Sequence, residues 1–361
     1  MIAGGGPAGC ATALALRIHA PELSVALIEQ TSYRSIRPGE VLPGAARSLL
    51  DCLHVWPGFE RHAWRSVYAT AAAWGSPVVS ENHSLYATAG NGWHLDRARF
   101  DLFLAEEANA RGVTVYLGKS LQRADKTDDG WSVVTSGNVA SGDLRLRARF
   151  LADATGRAAT IARGLGGSVV SLDALTGFSR FFPADEDSDP HTLIESVPDG
   201  WWYTAALSDN RRVVTLMADA DIARPRRLDR EPGWRKALSE TMLMKTLAPA
   251  AEALGEVVRP AGSAYLNEPC GDSWIAAGDA CCAHDPLSGQ GITRALRSGI
   301  MAAYAIVDTL CKNSPLGMKR YRHLIRHGWS GYLSARNRFY AEERRWPGSL
   351  FWQRRQGTLK R

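Results

Sequence analysis

Hydrophobic positions along the chain alternate between helical and strand spacing. The opening MIAGGGPAGCATALALRIHA sets a short apolar start before a glycine-rich turn, then an apolar run of helical spacing that Pro21 ends. LSVALIEQ follows as a short strand closing on Glu29. Turn residues dominate from Ser32 to Gly44, Ala45 to Leu53 reads as helix, and Trp56 to Asn91 holds short apolar stretches broken by Gly, Pro and Asn. RARFDLFLAEEANARG puts Phe100, Phe103, Leu104 and Ala108 on one helical face, and Gly112 stops the helix. VTVYLG, WSVVTSG and LRLRARFLADATG read as strands, the last alternating from Leu144 and ending on Asp153.

From Ser168 to about Pro260 strand patterns take over. LTGFSRFF, TLIESV, WWYTAAL and RVVTLMA are separated by polar turns, with a helix expected near Trp234 to Leu247. Antiparallel strands backed by a helix suit a layer that holds a substrate. Trp201 and Trp202 fall on opposite faces of such a strand, so at most one can point at any one site. The acidic stretch ADEDSDP at 184–190 reads as a surface loop. SWIAAGDACCAHDPLSGQGITRALRSGIMAAYAIVDTL then returns to a strand, a Gly-Asp turn, a glycine-rich loop and a helix.

With 361 residues, 45% of them hydrophobic, the chain exceeds one core of ordinary size. No apolar run approaches the ~18 residues of a membrane span. A glycine motif beginning at residue 4 leaves no room for a cleaved leader, so a cytoplasmic protein away from membranes is expected. Six cysteines at 10, 52, 270, 281, 282 and 311 form no C-x-x-C pair and read as reduced, small apolar side chains. His323 and His327 stand four apart on a helix without a carboxylate or thiol in the same pattern, and no metal is expected.

The net charge of +6 belongs to the C-terminal end. From Gly317 onward there are twelve Lys or Arg against two Glu, whereas the first 316 residues hold 31 basic and 35 acidic side chains. Arginines interleaved with aromatics are one signature of nucleic-acid binding. The better fit here is a surface that docks an acidic protein, or arginines that snorkel over the core. The motifs elsewhere are those of an enzyme.

Gly4, Gly6 and Gly9 stand in G-x-G-x-x-G spacing ahead of a helix, a second strand and Glu29, twenty residues after Gly9. Each part has a physical task. The glycines tighten the turn and admit a pyrophosphate, the helix start favours its charge, and the acid accepts from a ribose.

Together with the DATG turn at 153–156 and GDACCAHDPLSGQG at 278–291, this motif resembles the flavoprotein monooxygenases of the para-hydroxybenzoate hydroxylase fold, which include the flavin-dependent halogenases. The resemblance implies an α/β fold: a Rossmann-like FAD-binding domain interleaved with an antiparallel-sheet substrate domain, plus a C-terminal helical tail. The expected division gives residues 1–75, 92–165 and 260–311 to FAD, 76–91 and 166–259 to substrate, and 312–361 to the basic, aromatic tail. FAD is the implied cofactor, with Gly4, Gly6 and Gly9 at the pyrophosphate, Glu29 at the adenosine ribose and Asp279 at the ribityl chain. Pro286, Gly289 and Gly291 would lie along the isoalloxazine, and Arg37 and Arg97 match arginines that this family sets near FAD.

In such enzymes the cofactor carries the chemistry. Reduced flavin, drawing electrons from NAD(P)H or a reduced flavin, adds dioxygen as a C4a-hydroperoxide that an electron-rich ring attacks. Glu40, His284 and Asp285 are placed to act as a base, and each also suits a turn or a cap. The halogenase branch carries an essential lysine after the glycine motif and a W-x-W-x-I-P sequence. Here the first lysine is Lys119, and GWWYTAAL at 200–207 lacks both the tryptophan spacing and the proline.

RFYAEERRWPGSLFWQRR at 338–355 is similar to the ending of flavoproteins that mature tryptophylquinone cofactors in bacterial amine dehydrogenases and amino-acid oxidases, the quinohaemoprotein amine dehydrogenase system being the nearest comparison. This implies a bacterial monooxygenase that hydroxylates a peptidyl tryptophan, with a protein or peptide substrate docking on the basic surface and no nucleic-acid partner. A small free aromatic substrate, halogenation and isoprenoid saturation are the alternatives.

Overall fold

The computed structural model describes residues 1–83, 89–137, 142–185, 191–247 and 251–357. Residues 186–190 of the acidic stretch and 84–88 of the first substrate segment therefore lie outside the described residues.

Two large sheets organise the chain. The first has six strands in the order Cys270–Gly271, Trp274–Ala276, Leu151–Asp153, Ile2–Ala3, Ala26–Glu29 and Thr114–Leu117. Its pairings are parallel except for the hairpin at Cys270–Gly271. The opening strand has only two residues, yet it is buried between two parallel neighbours. A strand covered on both faces needs apolar side chains at every position, as Ile2 and Ala3 supply.

The second sheet has seven strands: Gly255–Pro260, Leu175–Pro183, Arg211–Asp219, Gly200–Ala206, Thr192–Val197, Ala69–Ala73 and Ser80–His83. The four strands read from pattern between 168 and 260 are all present: Thr192–Val197, Gly200–Ala206 and Arg211–Asp219 form an antiparallel meander, and Leu175–Pro183 pairs antiparallel with Arg211–Asp219. Thr192–Val197 also pairs in parallel with Ala69–Ala73. That strand lies inside the segment 1–75 given to FAD, yet it joins the sheet formed by strands of the segment 166–259. Its pairing partner is more than a hundred residues away, which a local pattern does not carry. The run from Leu144 also divides. Leu144–Ala148 joins a three-stranded antiparallel sheet, while Leu151–Asp153 enters the parallel sheet, with Phe150 buried at the break. The expected helix from Trp234 to Leu247 likewise becomes two, Glu231–Ser239 and Met244–Leu247. Glu195 accepts from the backbone N–H groups of Met242, Leu243 and Met244 at that break.

The period of two in Gly200–Ala206 sorts its aromatics. Trp202 packs with Phe178, Phe182 and Leu216 against Trp234, whose ring meets it edge-on at 5.1 Å. Trp201 and Tyr203 face the other way, toward Ile36, Leu287 and the tail residues Tyr340, Phe351 and Trp352.

The tail comprises the helices Leu316–Glu342 and Leu350–Gln356, and it braces the seven-stranded sheet. Much of its charge points inward. Arg355 pairs with Asp219 at 2.6 Å with both side chains buried, and Arg354 bridges Asp219 and Asp221. Glu343 accepts from Ser196 Oγ, the Gly75 N–H and Arg345. Lys319, Arg320, Arg338 and Arg344 remain on the exposed face. All six cysteines are free thiols. No helix among the described residues is long and apolar enough to cross a membrane.

Removing one partner of a buried ion pair strands the other without solvent. Asp219→Ala should therefore cost about 3–5 kcal/mol in chemical denaturation, because Arg355 stays buried. A loss below 1 kcal/mol would show that the tail is not anchored through this pair.

Candidate functional site

The glycine turn is built by close approach. Gly4 has φ +102° and Gly9 sits so tightly that a Cβ would lie 1.9 Å from the Gly4 carbonyl oxygen. At Gly6 the situation is opposite, since a Cβ would meet nothing within 4 Å. Gly6 is the N-cap of the helix Pro7–His19, whose first turn has neither a side-chain cap nor an acidic residue. Unpaired N–H groups and the helix dipole thus face open space, as an anion requires.

Glu29 ends its strand beside this turn. Its Oε2 accepts from the Gly5 N–H at 2.8 Å, and its Oε1 from the N–H and hydroxyl of Thr31 and from Arg37. The carboxylate therefore braces the glycine turn, and a ribose hydroxyl would have to share it with those donors. Tyr33, which sequence reasoning missed, donates its hydroxyl to the Gly5 carbonyl at 2.8 Å from a left-handed backbone (φ +58°).

The Gly-Asp turn lies across from this site. Gly278 has φ +63°, and a Cβ there would press on Ala8 of the first helix at 2.7 Å. The next residue, Asp279, lies 3.6 Å from Arg157 Nε. Desolvation raises its carboxyl pKa, while Arg157 and then Arg97 pull it down. The loop Pro286–Gly291 follows. Gly289 is left-handed (φ +59°), and a Cβ on Gly289 or Gly291 would also meet nothing within 4 Å. The helix Gly291–Leu310 begins there without a side-chain cap or an acid in its first turn. Open glycines at two uncapped helix starts fit a phosphate-bearing, ring-bearing cofactor.

A family described as FAD binding domain matches residues 1–323. The chain belongs to this family. It is an FAD-dependent oxidoreductase by that membership. The FAD-dependent oxidoreductase LodB of Marinomonas mediterranea is 32% identical over 359 residues, covering 98% of this chain and 96% of its own length. Among solved structures, the peptidyl tryptophan dihydroxylase QhpG, essential for tryptophylquinone cofactor biogenesis, matches with a TM-score of 0.79 and 25% identity, over 98% of this chain and 77% of that one. The flavin-dependent halogenase CmlS matches with a TM-score of 0.87 at 22% identity, over 100% of this chain and 67% of that one. That likeness is one of fold.

Arg37 and Arg97 come together through a residue that the sequence did not single out. Asp101, fully buried one turn after Arg97, accepts from Arg37 at 3.0 Å and from Arg97 at 3.2 Å. Arg97 also donates to the carbonyls of Pro38 and Gly39. An aspartate four residues after an arginine on a helix was the available signal.

The three candidate bases differ sharply. Glu40 is 2% exposed; its Oε2 accepts from the Tyr203 hydroxyl at 3.0 Å, and its Oε1 has no partner among the described residues. Burial raises its carboxyl pKa against the Tyr203 and backbone hydrogen bonds. His284 lies edge-on to Tyr332 at 4.5 Å, and burial, then Arg294 and Arg157, lower its pKa to about 3. It is neutral at physiological pH and a weak base. Asp285 has both oxygens engaged, by the Leu287 N–H at 3.0 Å and by the Tyr340 hydroxyl at 2.7 Å.

Two expectations follow. Gly9→Ala should prevent stable folding through its backbone clash, whereas Gly6→Ala should leave the melting temperature of the apoprotein close to wild type and weaken FAD at least about tenfold. Equal damage to folding by both, in thermal melts with and without FAD, would refute the open site at Gly6. The depressed pKa of His284 favours its neutral form, so its contribution to stability is present above the ordinary value of 6.5 and is lost progressively as pH falls toward about 3. Denaturation of wild type and His284→Asn across that window should show the smaller pH slope in the variant.

Proposed function

We propose that this enzyme is a monooxygenase that hydroxylates a tryptophan side chain of another polypeptide, in tryptophylquinone biogenesis. The likeness to the peptidyl tryptophan dihydroxylase, which spans 98% of this chain including the tail, is the observation that carries the reading. Bound flavin would supply an electrophilic oxygen from dioxygen, the second oxygen leaving as water with two electrons from NAD(P)H or reduced flavin. In this reading Gly4, Gly6 and Gly9 take the pyrophosphate, Glu29 and Asp279 take sugar hydroxyls, and Arg37 and Arg97 line the cofactor. The exposed arginines and lysine of the tail offer an acidic polypeptide a docking face, while the inward ones hold the face in place.

Glu40 is the base. An indole carbon that gains oxygen must lose its proton, and Oε1 of Glu40 is a buried carboxylate oxygen without a partner among the described residues, on a side chain tied to the substrate sheet. Tyr203 steadies the other oxygen and ties it to the substrate sheet. A halogenase would instead need the lysine that follows the glycine motif in that branch. Lys119, the first in the sequence, lies on the strand Lys119–Thr127 and donates to the Gly142 carbonyl.

Two measurements test this. Pull-down of the tagged protein from its host should recover a polypeptide that gains one or two oxygen atoms on tryptophan only with reductant and air. Oxygen appearing on small aromatics alone, or halide in place of oxygen, overturns the proposal. Glu40→Gln should bind FAD normally and lower kcat at least about a hundredfold. Because the raised pKa must be exceeded for Glu40 to accept a proton, wild-type activity falls on the acid side and the variant loses that limb. An unchanged acid limb would remove Glu40 from the mechanism.

A further inference from the structure

Three side chains of the tail helix Leu316–Glu342 converge on one residue of the glycine-rich loop. Tyr332, Arg336 and Tyr340 are spaced by four, so they share a helix face. The Tyr332 hydroxyl accepts the Asp285 N–H at 2.8 Å and also meets Ser263 Oγ at 2.6 Å. Arg336 Nε lies 3.5 Å from Asp285 Oδ2, and the same guanidinium holds Asp173 at 2.7 Å. The Tyr340 hydroxyl donates to Asp285 Oδ2 and accepts from Trp201 Nε1 at 3.2 Å. Asp285, Tyr332 and Tyr340 are all buried.

This arrangement fixes Asp285 at every polar group through which it could turn. Its amide is held by Tyr332, one oxygen caps the turn at Leu287, and the other is held by Tyr340 beside Arg336. The loop beyond is one turn, closed by the Ser288 N–H on the Asp285 carbonyl and the Gly289 N–H on that of Pro286, so its placement follows Asp285. Gly289 is left-handed, and Gly289 and Gly291 both look onto open space. Glycine backbones lose the most conformational freedom on ordering, so such a loop takes its shape from its ends. The exit is the start of the helix Gly291–Leu310, and the entry is Asp285.

We propose that Tyr332, Arg336 and Tyr340 are positioning residues that hold Asp285, and through it the loop Pro286–Gly291, in the shape that receives the flavin. The stripe acts whatever the substrate, so it goes beyond the function proposed above. It makes the tail part of the cofactor site without touching the cofactor.

The test uses the full chain, freed of flavin and titrated with FAD. Tyr332→Phe and Tyr340→Phe each keep the ring and remove the hydroxyl. Each should weaken FAD binding about tenfold, the scale of one hydrogen bond to a charged or main-chain group in a buried site, and should shift the visible absorption band of the bound flavin. Trp201→Phe breaks the bond on the sheet side of Tyr340, keeps an aromatic ring in that core, and should leave both readouts unchanged. Wild-type affinity and absorption in both tyrosine variants overturn the proposal, as does an equal effect from Trp201→Phe. If a tyrosine variant fails to fold, Asp285→Asn, which keeps the cap on Leu287 and removes the charge beside Arg336, is measured by the same two readouts and decides in the same way.

Discussion

The contact on which the site depends is the crossing of the helices Pro7–His19 and Gly291–Leu310. At Gly299 the two backbones approach so closely that a Cβ would stand 2.3 Å from the Ala8 carbonyl oxygen. Thr12 seals the crossing, its hydroxyl lying 2.8 Å from the Ala8 carbonyl and 3.1 Å from that of Gly299. Both helices start with uncapped N–H groups, and the crossing holds the two starts in one body of the protein. Bulk at Gly299, a position remote in sequence from the glycine fingerprint, would therefore separate the two halves of the site.

A second constraint is the seam between the parallel sheet layer and the seven-stranded sheet. It is closed by buried polar pairs rather than by apolar packing alone. Tyr203 meets Glu40, and His94 Nε2 meets Thr192 Oγ1 at 2.8 Å with the histidine pKa lowered by burial to about 4. Asp96 caps the helix Arg97–Ala110 and lies 3.8 Å from Arg211. Apolar faces can slide, whereas a hydrogen bond between buried groups tolerates one register. The seven-stranded sheet is thereby fixed against Glu40 and the start of the helix Arg97–Ala110.

Much of this was legible in the chain itself. Strict periods, such as Phe100 to Ala108 on a helix or Trp201 and Trp202 on opposite faces of a strand, predict elements well because one repeated environment imposes them. The glycine fingerprint, the Gly-Asp turn and the glycine-rich loop were equally visible, since each uses residues that few other structures require at that spacing. What stayed hidden depends on distant partners. Nothing local to Ala69–Ala73 announces a parallel pairing with Thr192–Val197. Asp101 looks like one more helix-surface acid until Arg37, from a loop sixty-four residues away, closes over it. Asp285 looks like a candidate base until Tyr340 and the Leu287 N–H occupy both its oxygens.

The tail shows why composition alone misleads. Its arginines suggest an exposed basic surface, yet Arg336, Arg345, Arg354 and Arg355 each end on a carboxylate of the protein. Their planar forks suit this work: Arg355 lies 3.6 Å over the Phe351 ring while its nitrogens reach Asp219. A lysine could supply the charge at such a site but not the stacking together with a two-pronged bond. The inward positions of this segment thus use what arginine alone offers, and the residual positive face is what remains once the inward pairs are made.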